Sequence, residues 1–374
     1  MWNLNRFTGV GNRGIERAAG EMMIGTVLGN KYQVDEEFFS DKLGTSFKAK
    51  HVAEGFGVAV LAFDKGVDPT GDQLKEIMDL SGRLHGIGSP GIVPAIDWVR
   101  RADGTACLVF PVGEGVPLAQ YCKGGIAIAE AVDIAYQLAT GLAAAAEEKV
   151  YHRDISANSV FVSVLGDGGQ LVRIVRWGCD ELLPQYSIGQ KDDRFYGTPE
   201  YMAPEMCSGK GWTSVSDMYS AGILMYQLIT GKPPFISSNF NTTLKRQIYE
   251  KPLPLHLLKR GVPNINDFEK IVFKVLQKMP PKRLENMAGL AEELKNFADQ
   301  FMPEADFTEL LATTWPAISV TGDAEVGAAV LGGTDDDASA ETASKTMMFT
   351  GVGAQPEAVS PGEELDEVVH EDVD

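Results

Sequence analysis

At 374 residues with 44% apolar side chains, the chain can build one large domain, or two lobes, with extensions. Its formal charge of −19 sits at one end: residues 303–374 hold 17 Asp/Glu and one Lys, leaving 35 acids against 32 bases elsewhere. That distribution excludes a basic nucleic-acid footprint. Four dispersed cysteines, Cys107, Cys122, Cys179 and Cys207, form no C-x-x-C pair and flank no His cluster, which argues against a metal or disulfide framework.

In chain order, residues 1–23 read as a flexible leader with no apolar run of the signal-peptide kind. Short strand-like runs follow at 32–36, 45–51 and 57–63, then a helix at 70–84, then strand-like runs at 92–99 and 106–112. Beyond Leu118 helical periodicity takes over, at 126–148, 214–230, 243–251, 265–278 and 287–302, with a turn-rich, strand-rich stretch at 151–200. The most apolar of these, 125–146, carries Glu130 and Asp133 and reads as a core helix rather than a membrane span. The expected class is α+β: a small antiparallel β-rich lobe with one helix over 24–113, and a larger, mainly helical lobe over 114–302. Residues 303–374 are too acidic and too poor in apolar side chains to offset chain entropy, and are expected to be disordered. Within them, Thr334-Asp335-Asp336-Asp337 and Thr346-Met347-Met348-Phe349-Thr350 read as linker, with a phosphosite or docking motif as the alternative. The chain as a whole is expected to be cytoplasmic.

Several motifs then fall in one order. Tyr151-His152-Arg153-Asp154 precedes the run from Gly197 to Glu205, which reads GTPEYMAPE. Asp217-Met218-Tyr219-Ser220-Ala221-Gly222 precedes Leu228-Ile229-Thr230-Gly231-Lys232-Pro233-Pro234-Phe235, and Arg283 follows Pro281-Lys282. Together they resemble the protein kinase superfamily, of the bacterial Ser/Thr type, over about residues 24–300. The resemblance implies a two-lobed kinase fold. It also implies framework roles: a buried pair of Glu205 with Arg283, Asp217 bonded to the backbone of the His152-Arg153 loop, and Trp177 with Gly178 in an internal spine.

Kinase chemistry requires phosphates and magnesium to be held and charge to be neutralised. Most positions that do this in the family are altered here. The three glycine-loop positions fall on Phe39, Asp41 and Gly44, with Ser46 as the roof residue. The strand motif that ends in lysine reads Val58-Ala59-Val60-Leu61, with Lys42, Lys48 and Lys65 as nearby candidates to replace the missing cation. The helix acid falls on Glu76, with Leu80 one turn later as a spine residue. Asp154 keeps the base position. Ser156 replaces the following lysine, Ser159 replaces the metal-binding asparagine, and Asn158 reads as a local capping or turn residue. The D-F-G motif reads Arg176-Trp177-Gly178. A permanent cation thus stands where a hard anionic oxygen should bind magnesium. Gly44, Ala59, Phe110, Val112 and Phe161 would line what remains of a nucleotide pocket.

These changes all fall on one ligand site while the framework motifs persist. The sequence therefore implies a catalytically inactive pseudokinase, a scaffold or allosteric regulator whose partners are proteins, such as an active kinase or its substrate. No cofactor or metal is expected. An atypical active Ser/Thr kinase using ATP and magnesium, or a nucleotide sensor without turnover, remains the alternative. Arg176, in a cleft where a bare charge is costly, is expected to pair with Asp154 or Glu76.

Overall fold

The computed structural model describes residues 23–303, except 167, 183–185, 188–193 and 196. The expected leader, apart from Met23, and all of the acidic stretch beyond Pro303 lie outside the described residues.

The N-terminal lobe is a twisted antiparallel sheet of β1 (Val27–Leu28), β2 (Tyr32–Ser40), β3 (Gly44–His51), β4 (Gly57–Phe63), β5 (Asp97–Arg100) and β6 (Ala106–Phe110), in the order β1-β2-β3-β4-β6-β5. Central β4 is buried along its whole length, which its unbroken apolar run, Val58 to Phe63, makes possible. Its two faces feed separate cores. Val58, Val60 and Ala62 join Tyr32, Val34 and Phe47 on one side. Ala59, Leu61 and Phe63 join Leu74, Ile77, Phe110, Val112 and Phe161 on the other. A single helix, α1 (Gly71–Ile87), covers that second face. Thr70 and Gln73 form a reciprocal capping box at its start, and Gly88 closes it in the left-handed conformation.

Two strand expectations change. The run expected at 32–36 continues as β2 to Ser40, with register shifts before Glu36 and Phe39. The run expected at 92–99 pairs in the lobe's sheet only from Asp97. Pro94 interrupts it, and Ile92 instead bridges in parallel to Ile174 of the other lobe.

The C-terminal lobe is mainly helical: α2 (Ile128–Glu147), α3 (Ser216–Thr230), α4 (Phe240–Tyr249), α5 (Leu255–Leu258), α6 (Ile265–Val275) and α7 (Met287–Phe301). A small sheet of β7 (Val116–Pro117), β8 (Val160–Val164) and β9 (Gln170–Ile174) lies against them. The apolar stretch read as a core helix is α2, and α3 is buried from Ser216 to Ile229. Among the described residues no helix is long and apolar enough to cross a membrane, and all four cysteines are free and buried.

Candidate functional site

The framework of the site rests on three polar anchors. Asp217, at the start of α3, is buried and accepts the backbone N–H groups of His152 and Arg153, both at 2.9 Å. This fixes a loop in which Arg153 takes a positive φ of 64°. Burial pushes the Asp217 carboxyl up to about 6, against the lowering effect of those two N–H bonds. The His152 ring faces Val175 O at 2.8 Å and stands edge-on to Trp177, 4.9 Å away. Burial drives His152 down to about 4. Because Asp154 N–H donates to His152 Nδ1, the proton is on Nε2 and donates to Val175. The third anchor is the ion pair of Arg283 with Glu205, Nη1 to Oε1 at 2.7 Å and Nη2 to Oε2 at 2.6 Å. Burial would raise Glu205; Arg283 and Ser216 outweigh it and hold the carboxyl below its ordinary range.

The cleft above this framework is joined from both sides. Arg176 follows β9 with a positive φ of 69°, and its side chain rises towards the sheet. Nη1 donates to Asp41 Oδ2 at 2.7 Å and Nη2 to Ser46 Oγ at 2.9 Å, while the guanidinium carbon lies 5.1 Å from the Phe39 ring centroid. This corrects the sequence expectation. Arg176 forms its ion pair with neither Asp154 nor Glu76, but with the acid of the β2–β3 turn. Glu76 is exposed on α1, and Leu61 is 1% exposed and packed in the lobe's core. Leu80 lies over the backbone at Gly178.

The turn holding Asp41 is itself ordered. Asp41 Oδ1 accepts Leu43 N–H at 3.1 Å, Asp41 N–H donates to Gly44 O at 2.9 Å, and Leu43 is buried in the core. Asp41 Oδ2 also accepts from Asn158 Nδ2 at 3.2 Å, a contact across the lobes that replaces the purely local role expected of Asn158. Gly44 has a reason of its own to lack a side chain. Its φ is 147°, and a Cβ would meet Ala62 O of β4 at 2.0 Å. Ser46 lies directly across from Leu61 on β3 and β4. Arg176 thus brings a cation from the opposite lobe to the patch of sheet at Ser46 and Leu61.

The bulge at Phe38 sends both Phe38 and Phe39 towards one core instead of opposite faces. Phe38 stands edge-on to Phe161, with centroids 5.5 Å apart. Ala59, Phe110, Val112 and Phe161 are thus brought together, with the turn strand's own aromatic rings packed among them. Nothing in a strict two-residue alternation announced this; the adjacent Phe-Phe pair was the signal.

Below the turn, Asp154 Oδ1 accepts the Thr198 N–H at 2.8 Å. Burial pushes its carboxyl up to about 7, Thr198 opposing, Asp41 adding and Arg176 opposing. Ser159 faces its own loop rather than the cleft: Oγ accepts Ser156 N–H at 2.9 Å and lies 3.2 Å from Asp154 O. Ser156 is buried beside it. Of the candidate lysines, Lys48 pairs with Glu114 at 2.9 Å. Lys42 lies over the Phe240 ring; burial lowers its pKa, against Glu200, Asp154 and Asp41.

The anchors, the loop and the two lobes occur in the order and arrangement of one family, whose sequence profile, the protein kinase domain, matches residues 32–296. The chain belongs to the protein kinase family. Among its relatives, a serine/threonine-protein kinase of Myxococcus xanthus, pkn2, is 27% identical over 342 residues, 89% of this chain and 40% of its own length. PrkC of Bacillus subtilis is 25% identical over 284 residues, 74% of this chain and 42% of its own length. This chain therefore spans about two fifths of these kinases. The crystal structure of the Mycobacterium tuberculosis PknI kinase domain superposes with a TM-score of 0.52 at 16% identity, covering 73% of this chain and 98% of that domain. The kinase fold is shared with it.

Proposed function

We propose that this kinase domain does not transfer phosphate and works as a scaffold or allosteric regulator through contacts with other proteins. The observation that carries the reading is the Asp41–Arg176–Ser46 link across the cleft. The residues present do not fit magnesium-ATP. One metal-ligand position holds a guanidinium already paired with Asp41, and the other holds Ser159, turned into its loop. A cation beside the site repels a dication and offers it no lone pair. Phe38 packs on Phe161 where a base would need an apolar slot. The ion pair and the packed aromatics join the lobes, a task that bound nucleotide and metal otherwise perform, so the fold can present a fixed surface without a ligand.

Partners of such a domain are proteins, with an active kinase or its substrate the natural class. A second reading, an active Ser/Thr kinase with displaced groups, draws support from Asp154, which is held by Thr198 at the base position. Thermal unfolding and calorimetric titration with ATP, with and without magnesium, separate the two. The expected result is no shift and no micromolar binding in either condition. A magnesium-dependent rise in Tm would establish the kinase reading, and a magnesium-independent rise a nucleotide sensor. Arg176→Asp alone is expected to yield no phosphotransfer, since Leu61 and Ser159 remain.

A further inference from the structure

The two lobes share a cavity that the Asp41–Arg176 link does not line. It measures about 240 Å³ and is walled by α1 from the first lobe and, from the second, by residues around 149–153 and 178–182. Sites for drug-sized ligands run to about 300–1,000 Å³, so this one suits a body of a single ring. Its apolar side is built from Ile77 and Leu182, both buried, and Leu80, half-buried. Gly178 leaves that side open: a Cβ there would meet Leu80 Cδ2 at 3.0 Å and Ile77 Cγ1 at 3.6 Å.

The charged groups of the cavity do not cancel. Arg153 is paired with Asp180, Nη1 to Oδ2 at 3.3 Å. Arg83 crosses from α1 to the end of α2, where Nη2 donates to Glu148 O at 3.4 Å, the carbonyl that precedes Lys149. Lys149 itself has a positive φ of 57°, a conformation that glycine takes at lower cost. Its backbone is held there, Lys149 N–H donating to Ala146 O at 3.0 Å and Val150 N–H to Ala145 O at 2.9 Å. A lysine kept in a turn that favours glycine marks a task for its side chain. Among the described residues, Arg83, Lys149 and Glu76 form no ion pair. Two cations against one acid leave one positive charge in excess.

We propose that this cavity binds a small organic monocarboxylate. Its carboxylate lies between Arg83 and Lys149, where a guanidinium fork and an ammonium can share its two oxygens, and its apolar body packs on Ile77, Leu80 and Leu182. A phosphate monoester, with two charges, would leave a surplus negative charge beside Glu76 and Asp180. Because α1 belongs to one lobe and Lys149 to the other, the bound acid ties the lobes at a second place. The proposal is independent of whether the cleft turns over nucleotide.

Methyl NMR of the full chain, with benzoate as the probe, tests it. A saturable shift of the Ile77 and Leu80 methyl resonances is expected, with a Kd in the roughly millimolar range that so small a ligand reaches. Arg83→Ala/Lys149→Ala alters two exposed side chains and is expected to weaken binding about tenfold or more, the remaining methyl resonances reporting an intact fold. Benzamide, of the same shape without the charge, is expected to bind about tenfold more weakly than benzoate. Absence of a saturable shift at these methyls up to ~20 mM benzoate overturns the proposal, as does unchanged binding by the double variant. Equal binding of benzamide removes the role of the two cations and overturns it as well. Tighter binding of phenyl phosphate than of benzoate overturns the choice of a single charge.

Discussion

Two arginines each meet a carboxylate inside this molecule, and they behave as different kinds of element. Arg283 is fully buried within one lobe, binds both oxygens of Glu205, and spends its remaining donors on the backbone oxygens of Gln277, Val215 and Lys278. Arg176 crosses between lobes, touches a single oxygen of an Asp41 side chain that is 22% exposed, and gives its other arm to a hydroxyl. The first pair has every donor matched and no water at hand, so it is a fixed part of the lobe. The second has one strong contact and a partly hydrated acid, so it joins two bodies that could otherwise part. The pair inside the lobe ties together residues of one body, and the pair across the lobes ties the two sides of the cleft.

The comparison breaks most sharply at the buried pair. Glu205→Ala strands the Arg283 guanidinium without water and is expected to cost about 3–5 kcal/mol, read as the loss of a cooperative transition or of soluble protein. A cost under ~1 kcal/mol would show that Arg283 finds another acceptor.

At the cleft, Asp41→Ala and Arg176→Ala are each expected to cost about 1–3 kcal/mol, with Asp41→Ala the larger. Removing Asp41 leaves the more buried cation with Ser46 and the Phe39 ring but no acid, whereas removing Arg176 leaves an acid that water can reach. A double-mutant cycle in urea is expected to return a coupling above ~0.5 kcal/mol. Strict additivity would mean that the two groups meet without holding the lobes together.

The smallest effect concerns Asp154. A carboxyl whose pKa rises from 3.8 in the unfolded chain to about 7 in the fold disfavours folding once ionised. That penalty is absent below about pH 4 and complete above about pH 7. Asp154→Asn is therefore expected to raise stability by about 1–2 kcal/mol at pH 8, allowing for the acid's partial contact with water. The gain should shrink as the pH falls and vanish near pH 4. A gain constant across that range would assign it to the amide's own contacts instead.

Reading the residues in order reached the fold and the positions of the framework, because those depend on periodicity and on local motifs. Strand ends were harder. The bulge at Phe38 and the interruption at Pro94 depend on which neighbour each strand meets, not on its own pattern. At the cleft, the resemblance sets Arg176 where a carboxylate is expected and Asp41 where a glycine is expected. The two changes are complementary in charge, yet 135 residues apart. Only the fold places them 2.7 Å from one another.

What the sequence alone determined is the family and the order of its lobes, both properties of residue type and spacing. What the tertiary structure decided is pairing: Arg176 with Asp41 rather than Asp154 or Glu76, Asn158 across the lobes rather than within its turn, Phe38 against Phe161. A side chain's charge is written in its identity. Its partner depends on distances between segments remote in sequence, and these are fixed only when packing of the two cores sets the height of the cleft.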